Sequence, residues 1–258
     1  MAEKSFFEKI TYTDGIYPVS TIKLIQNPNK FYAVPILGFL VKHIILIPVI
    51  IEVIILSIWL FIAAMIINPF VVLFTGKYWN NAYSIALGMI RISAKMQYFL
   101  FGLTDKYPGF SLKIDESYSV DIPLITNPSK LFAFPLLGLL MRMILIIPYY
   151  MFLSVISQAA CIGTYILAWA VVLFKGRYPE SLFELSRDAI RVSLSNHAYM
   201  LGLSDKYPSF YISMAHDKIK IILIVIAIIL GGMSFGDSWS DKQAEPSFEN
   251  IINNSDYL

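Results

Sequence analysis

The chain repeats itself. Val71-Val72-Leu73-Phe74-Thr75-Gly76-Lys77-Tyr78 returns one hundred residues later as Val171-Val172-Leu173-Phe174-Lys175-Gly176-Arg177-Tyr178. The offset is ungapped, and about a third of the positions from 17 to 112 keep their residue one hundred further on. Pro35/Pro135, Gly38/Gly138, Pro48/Pro148 and Arg91/Arg191 are among the shared pairs. Whatever one copy folds into, the other has to accommodate in the same register.

In each copy a long apolar run ends on Gly, a cation and Tyr, and an amphipathic segment begins. The first run, Phe31 to Thr75, is interrupted only by Lys42, His43 and Glu52. The whole chain is 57% hydrophobic and 15% charged, against roughly a quarter charged in soluble domains. These values indicate an all-α integral membrane protein built from two tandem membrane repeats. A straight helix over the first run would far exceed a hydrocarbon core of about 30 Å. Two architectures fit: a tight hairpin with helices near 31–50 and 52–74, or an interfacial helix to about Lys42 followed by one long, kinked, tilted span. Pro35, Pro48 and Pro69 are the natural kink points.

The following segment is clearest in the second copy. Glu180, Glu184, Arg187, Asp188, Arg191 and Ser195 recur at three- and four-residue spacing, opposite Leu182, Phe183, Leu185, Ile190 and Leu194. An amphipathic helix this polar is expected in the interface. The alternative is a second span whose polar stripe faces a protein interior. Alternation around Tyr17–Ile25 and Ser111–Thr126 indicates short strands before each copy, and Asn27-Pro28 and Asn127-Pro128 read as turns.

The organisation is therefore a polar segment 1–30, repeat 1 over 31–110, a linker 111–130 and repeat 2 over 131–210. A C-terminal transmembrane helix over 218–236 and an acidic tail over 237–258 follow. Lys218, Lys220 and Trp239 would extend the short apolar run Ile221–Phe235 by snorkelling and anchoring. No cleavable signal peptide is visible before Phe31. Basic residues place the N-terminus and the segment before Ile221 in the cytoplasm and the tail outside. The basic linker then favours parallel repeats and five spans over inverted repeats and three.

The pattern of an apolar span, F-T-G-[KR]-Y-P, an amphipathic helix with a central Arg, and T-D-[KR]-Y-P-x-F resembles a widespread bacterial family. Its members are small integral membrane proteins known as a domain of unknown function. Here the matches are Phe74-Thr75-Gly76-Lys77-Tyr78, Arg91 and Thr104-Asp105-Lys106-Tyr107-Pro108-Gly109-Phe110. In the second copy they are Phe174-Lys175-Gly176-Arg177-Tyr178-Pro179, Arg191 and Ser204-Asp205-Lys206-Tyr207-Pro208-Ser209-Phe210. Trp79 in place of Pro, and Lys175 in place of Thr, depart from it. The resemblance implies a bacterial envelope protein without assigned catalysis.

Candidate chemistry is sparse. Glu52 is the one acid in its apolar run, where a carboxylate marks an ion path, a helix contact or a solvated turn. Arg91/Arg191, Lys77/Arg177 with Tyr78/Tyr178, and Lys42/Arg142 are duplicated cations and boundary tyrosines that suit lipid phosphates or depth anchoring. Asp105-Lys106-Tyr107-Pro108 and its copy read as helix-ending turns. His43, His197 and His216 are scattered and the one cysteine, Cys161, is intramembrane, so no metal site, internal disulfide or cofactor is expected. No catalytic motif occurs, and a net charge of +2 gives no nucleic-acid footprint. Gly232 and Gly236 have helix-dimer spacing but lie at the end of the last span. The expected role is a non-enzymatic scaffold or accessory subunit of an inner-membrane complex, binding lipids, membrane-protein partners or its own copies. The second reading is a lipid- or small-solute-binding or transport protein with a site between the repeats.

Overall fold

The computed structural model describes residues 18–114, 118–213 and 218–243. Lys4, Lys9, His216 and the tail beyond Gln243 lie outside them, as do the side chains from Gly232 onward. The described chain is mostly helical. Strand β1 (Val19–Ile22) and a 3₁₀ turn (Lys30–Ala33) lead into α1 (Leu37–Thr75), followed by α2 (Asn80–Leu100). Strand β2 (Tyr118–Asp121) then leads into α3 (Leu137–Leu145), α4 (Ile147–Lys175), α5 (Glu180–Met200) and α6 (Lys218–Gln243).

Two of these helices, α1 and α4, are long and apolar enough to cross a membrane. The hairpin expected from the sequence does not form. α1 runs unbroken for 39 residues, about 58 Å at 1.5 Å per residue, with Pro48 inside it. A proline removes one N–H and crowds one carbonyl, which bends an apolar helix but does not reverse it. The second half breaks softly at Ile146, where φ −81° and ψ −10° stay helical. Both long helices contain a π turn, at Phe61–Ile67 and Gly163–Ala168. Both end on a left-handed glycine, Gly76 and Gly176, whose N–H bonds Val72 and Val172.

The first helix of each half, α1 and α3, also starts in the same unusual way. Ile36 and Leu136 have φ of 61° and 62°, and the next amide bonds back two residues: Leu37 N–H to Pro35 at 2.5 Å, Leu137 N–H to Pro135 at 2.6 Å. That is the strained γ-turn, rarely adopted by a β-branched or bulky residue. The side chains themselves are 76% and 73% exposed and pack on little. Ile36→Gly should therefore raise stability, by about 1 kcal/mol from relieved strain. Thermal unfolding in detergent is the check, and a lowered midpoint would refute it.

The strands pair antiparallel, with Ser20 opposite Val120, Val19 opposite Asp121 and Ile22 opposite Tyr118. Equivalent residues thus face each other around the 20–120 pair, as a local twofold axis through the ribbon requires. The same relation holds outside the ribbon. The start of the first half lies beside the end of α4, and the start of the second beside the end of α1. The long helices consequently run in opposite senses. α2 and α5 pack against each other in the middle, with the ribbon beyond α2.

The amphipathic helix is not an interfacial one. Thirteen of the 21 residues of α5 are buried, and its polar stripe meets protein. Asp188 accepts the Ser213 amide at 2.8 Å and pairs with Arg187 at 3.3 Å. Glu184 pairs at 2.5 Å with Lys220, which is 1% exposed. Lys220 therefore does not snorkel: it turns inward and ties α6 to α5. α6 runs antiparallel along α4, with Leu223 beside Gly163 and Gly231 beside Gln158. The helix continues past Gly236 to Gln243, further than the apolar run implied.

Candidate functional site

Two cavities lie at equivalent positions. Each is built from both halves. The first, about 600 Å³, is formed by the 28–42 stretch and the end of α2, and closed by the π turn of α4 and Tyr178. The second, about 240 Å³, is formed by the 128–142 stretch and the end of α5, and closed by the π turn of α1 and Tyr78. Almost every lining position of one has its counterpart, one hundred residues away, lining the other. Only the first falls in the range of about 300–1,000 Å³ usual for small-molecule sites.

The roof tyrosines are symmetric as well. The Tyr178 hydroxyl donates to the Phe101 carbonyl at 3.0 Å, and Tyr78 donates to Leu201 at 2.9 Å. Each crosses to the opposite half. Burial holds both phenols above the ordinary tyrosine range, with Arg142 opposing the shift at Tyr78 and the Thr164 hydroxyl opposing it at Tyr178. Both remain neutral donors at physiological pH.

Each cavity holds one buried cation, Lys42 or Arg142, 5% exposed in both cases. Here the symmetry fails. Arg142 donates to Tyr199 at 2.7 Å and Ser204 at 2.9 Å, pairs with Asp205, and stacks over Phe132 and Tyr199. Its guanidinium makes three hydrogen bonds, one of them to a carboxylate. Lys42 makes a single long hydrogen bond, 3.5 Å to Leu100, sits over the rings of Tyr32 and Phe99, and feels the charge of Asp105 in the same cavity without a hydrogen bond to it. An ammonium has three donors, so most of its hydrogen-bonding capacity is unused. Trp169, also lining the first cavity, buries its indole N–H without a partner. Unpaired buried donors are costly, and this cavity has them in two side chains.

Asp105 and Asp205 do not close a local turn. They accept the amides of Asn29 at 2.6 Å and Ser129 at 2.5 Å, fastening the end of each half to its own start. The local turns are made by Thr104 and Ser204, whose hydroxyls accept the Lys106 and Lys206 amides.

Of the residues singled out from the sequence, Tyr78, Tyr178, Lys42 and Arg142 line the cavities, as do Asp105 and Asp205. Arg91 donates to the Val120 carbonyl at 3.0 Å and pairs with Asp121 at 3.2 Å. Arg191 donates to the Tyr211 carbonyl at 2.8 Å. Both clamp helices to neighbouring backbone, outside the cavities. Lys77 and Arg177 are exposed at the helix ends. Glu52 is half-buried on α1 with one unpaired oxygen, again away from both cavities. No group of three potential metal ligands occurs among the described residues. The residues that sequence reasoning undervalued are Lys42, Asp105 and Trp169. The first two were visible as matched pairs at the hundred-residue offset; Trp169 faces Pro69 at that offset and gave no signal.

A family profile described as a domain of unknown function, DUF4389, matches residues 137–211. That stretch contains α3, α4, α5 and the Tyr207-Pro208 turn. No curated protein and no solved structure matches the chain.

Proposed function

We propose that this chain is a non-enzymatic membrane protein of the bacterial inner membrane. In this reading it is a tandem duplication that binds an amphiphile with an anionic head in the first cavity. One observation carries it: a mostly apolar cavity of about 600 Å³ walled by both halves, with a buried lysine whose donors are largely unused. The head oxygens would accept from Lys42, and the apolar chain would lie along Phe39, Leu40 and Tyr165. Burial makes such a charge-assisted bond stronger than at a surface. The second cavity is smaller and its cation is satisfied internally, so one ligand per chain is expected.

Native mass spectrometry of the full chain in a neutral maltoside tests this. Lysophosphatidic acid should bind as one molecule, and Lys42→Met should weaken it at least tenfold. Lysophosphatidylcholine and inorganic phosphate should bind more weakly. Equal binding of the choline lipid would remove the anionic head; tight binding of phosphate alone would make the ligand a free anion. Unchanged binding to Lys42→Met would end the reading. Since Lys42 carries only one long hydrogen bond, that variant is expected to fold, with circular dichroism as the control.

A scaffold role is the second reading. It is favoured by α6, which packs on α4 and α5 and leaves Ile221, Ile222, Ile228 and Ile229 exposed for a further helix.

A further inference from the structure

The ribbon decides how the long helices can meet a bilayer. α2 is tied at its start to α1 through the Trp79 amide on Asn68, at 2.9 Å, and at its end through Lys42 on Leu100. Its midpoint therefore sits level with the middle of α1. From that midpoint Arg91 reaches Val120 and Asp121 of the ribbon. If α1 stood across the membrane, the ribbon would lie at the bilayer centre. It is polar and wet there: Thr21 and Lys23 are exposed, and the Asp121 side chain is 56% exposed. Exposed strands and a half-exposed carboxylate are not tolerated in hydrocarbon.

Length gives the same answer. Ile44, Ile47, Ile51, Ile55, Ile58 and Ile62 form an exposed stripe at three- and four-residue spacing. The exposure continues to both ends, with Ile36 at 76% and Phe74 at 85%. To place about 58 Å of apolar helix in a core of about 30 Å, α1 would have to tilt by about 60°, outside the observed range of about 0–40°. The stripe faces away from α2, and hence away from the ribbon. On α4 the exposed residues Tyr150, Met151, Ile166 and Leu167 continue the apolar surface.

We propose that α1 and α4 lie in the plane of the membrane, their exposed faces sunk into the acyl chains of a single leaflet. The local twofold axis stands along the membrane normal and the ribbon faces water. Lys30, Lys77 and Arg177, exposed at the helix ends, then all reach headgroups on one side. This is the geometry of an interfacial element with a wide apolar face, here made from two antiparallel helices. It replaces the multi-pass arrangement inferred from hydropathy, and it does not depend on what the cavity holds.

Single cysteines in a Cys161→Ser background test it on the full chain. Thr21→Cys, Lys30→Cys and Lys77→Cys alter exposed side chains only. An impermeant maleimide should label all three from the same face, in either intact cells or inverted vesicles but not both. Labelling of Lys30→Cys and Lys77→Cys from opposite faces would overturn the proposal, since it requires α1 to cross. A ribbon cysteine that reacts only after detergent is added would overturn it too, because the ribbon would then lie in hydrocarbon.

Discussion

Arg142→Met will cost the fold about 3–5 kcal/mol, the range for removing one partner of a buried ion pair. The guanidinium serves the carbonyls of Tyr199 and Ser204 and the carboxylate of Asp205 together. Methionine fills a similar volume but leaves a carboxylate without its counter-charge and two carbonyls short of donors. Asp205 is also the group that accepts the Ser129 amide, so the start of the second half loosens with it. The same replacement at Lys42 removes one 3.5 Å bond, two ring contacts and an attraction to Asp105 that involves no hydrogen bond, and should cost a small fraction of that. Thermal unfolding of both variants in one detergent gives the comparison. Equal losses would mean that the two cations are equivalent, against the asymmetry described above.

Gly138→Ala will be nearly as damaging, at about 3 kcal/mol, the upper end of the usual overpacking cost. A Cβ at Gly138 would overlap the Phe132 carbonyl oxygen, and one at Gly38 would overlap that of Tyr32. Both obstacles are backbone, held by the turns that precede α3 and α1, so neither can move aside as a side chain would. Unfolding midpoints for Gly38→Ala and Gly138→Ala should fall by similar amounts. Gly109→Ala is a useful contrast, because nothing lies within 4 Å of a Cβ there and only its φ of 62° opposes the change.

Much of this architecture is legible in the residue order. The hundred-residue offset anticipates that Ile36 and Leu136, Gly38 and Gly138, and the two cavities share one construction. Alternation before each copy anticipates the strands, and spacing within 180–195 anticipates α5. The failures have physical causes. Periodicity gives the polar stripe of α5 but not what covers it, and here residues 209–213 and Lys220 do so in place of water. Hydropathy records that 31–75 is apolar throughout; it carries no information on whether Pro48 bends or reverses the chain. Positive charge in the linker suggested topology, yet strand pairing between β1 and β2 constrains the geometry more tightly than any charge count. Asp105 looked like a turn residue because its partner, Asn29, is 76 positions away, beyond any local pattern.

The crossed construction of the cavities has a consequence for how variation in this chain is to be mapped. Thr164, Tyr165 and Trp169 belong to the second half of the chain but shape the chamber that opens at the first. Ala64, Asn68 and Val72 do the reverse. Substitutions that reshape one chamber therefore fall in both halves, and in complementary parts of each. Neither half can be lost while either chamber keeps its walls. A scan of substitutions should show sensitive positions in two blocks per chamber, separated by more than a hundred residues of sequence.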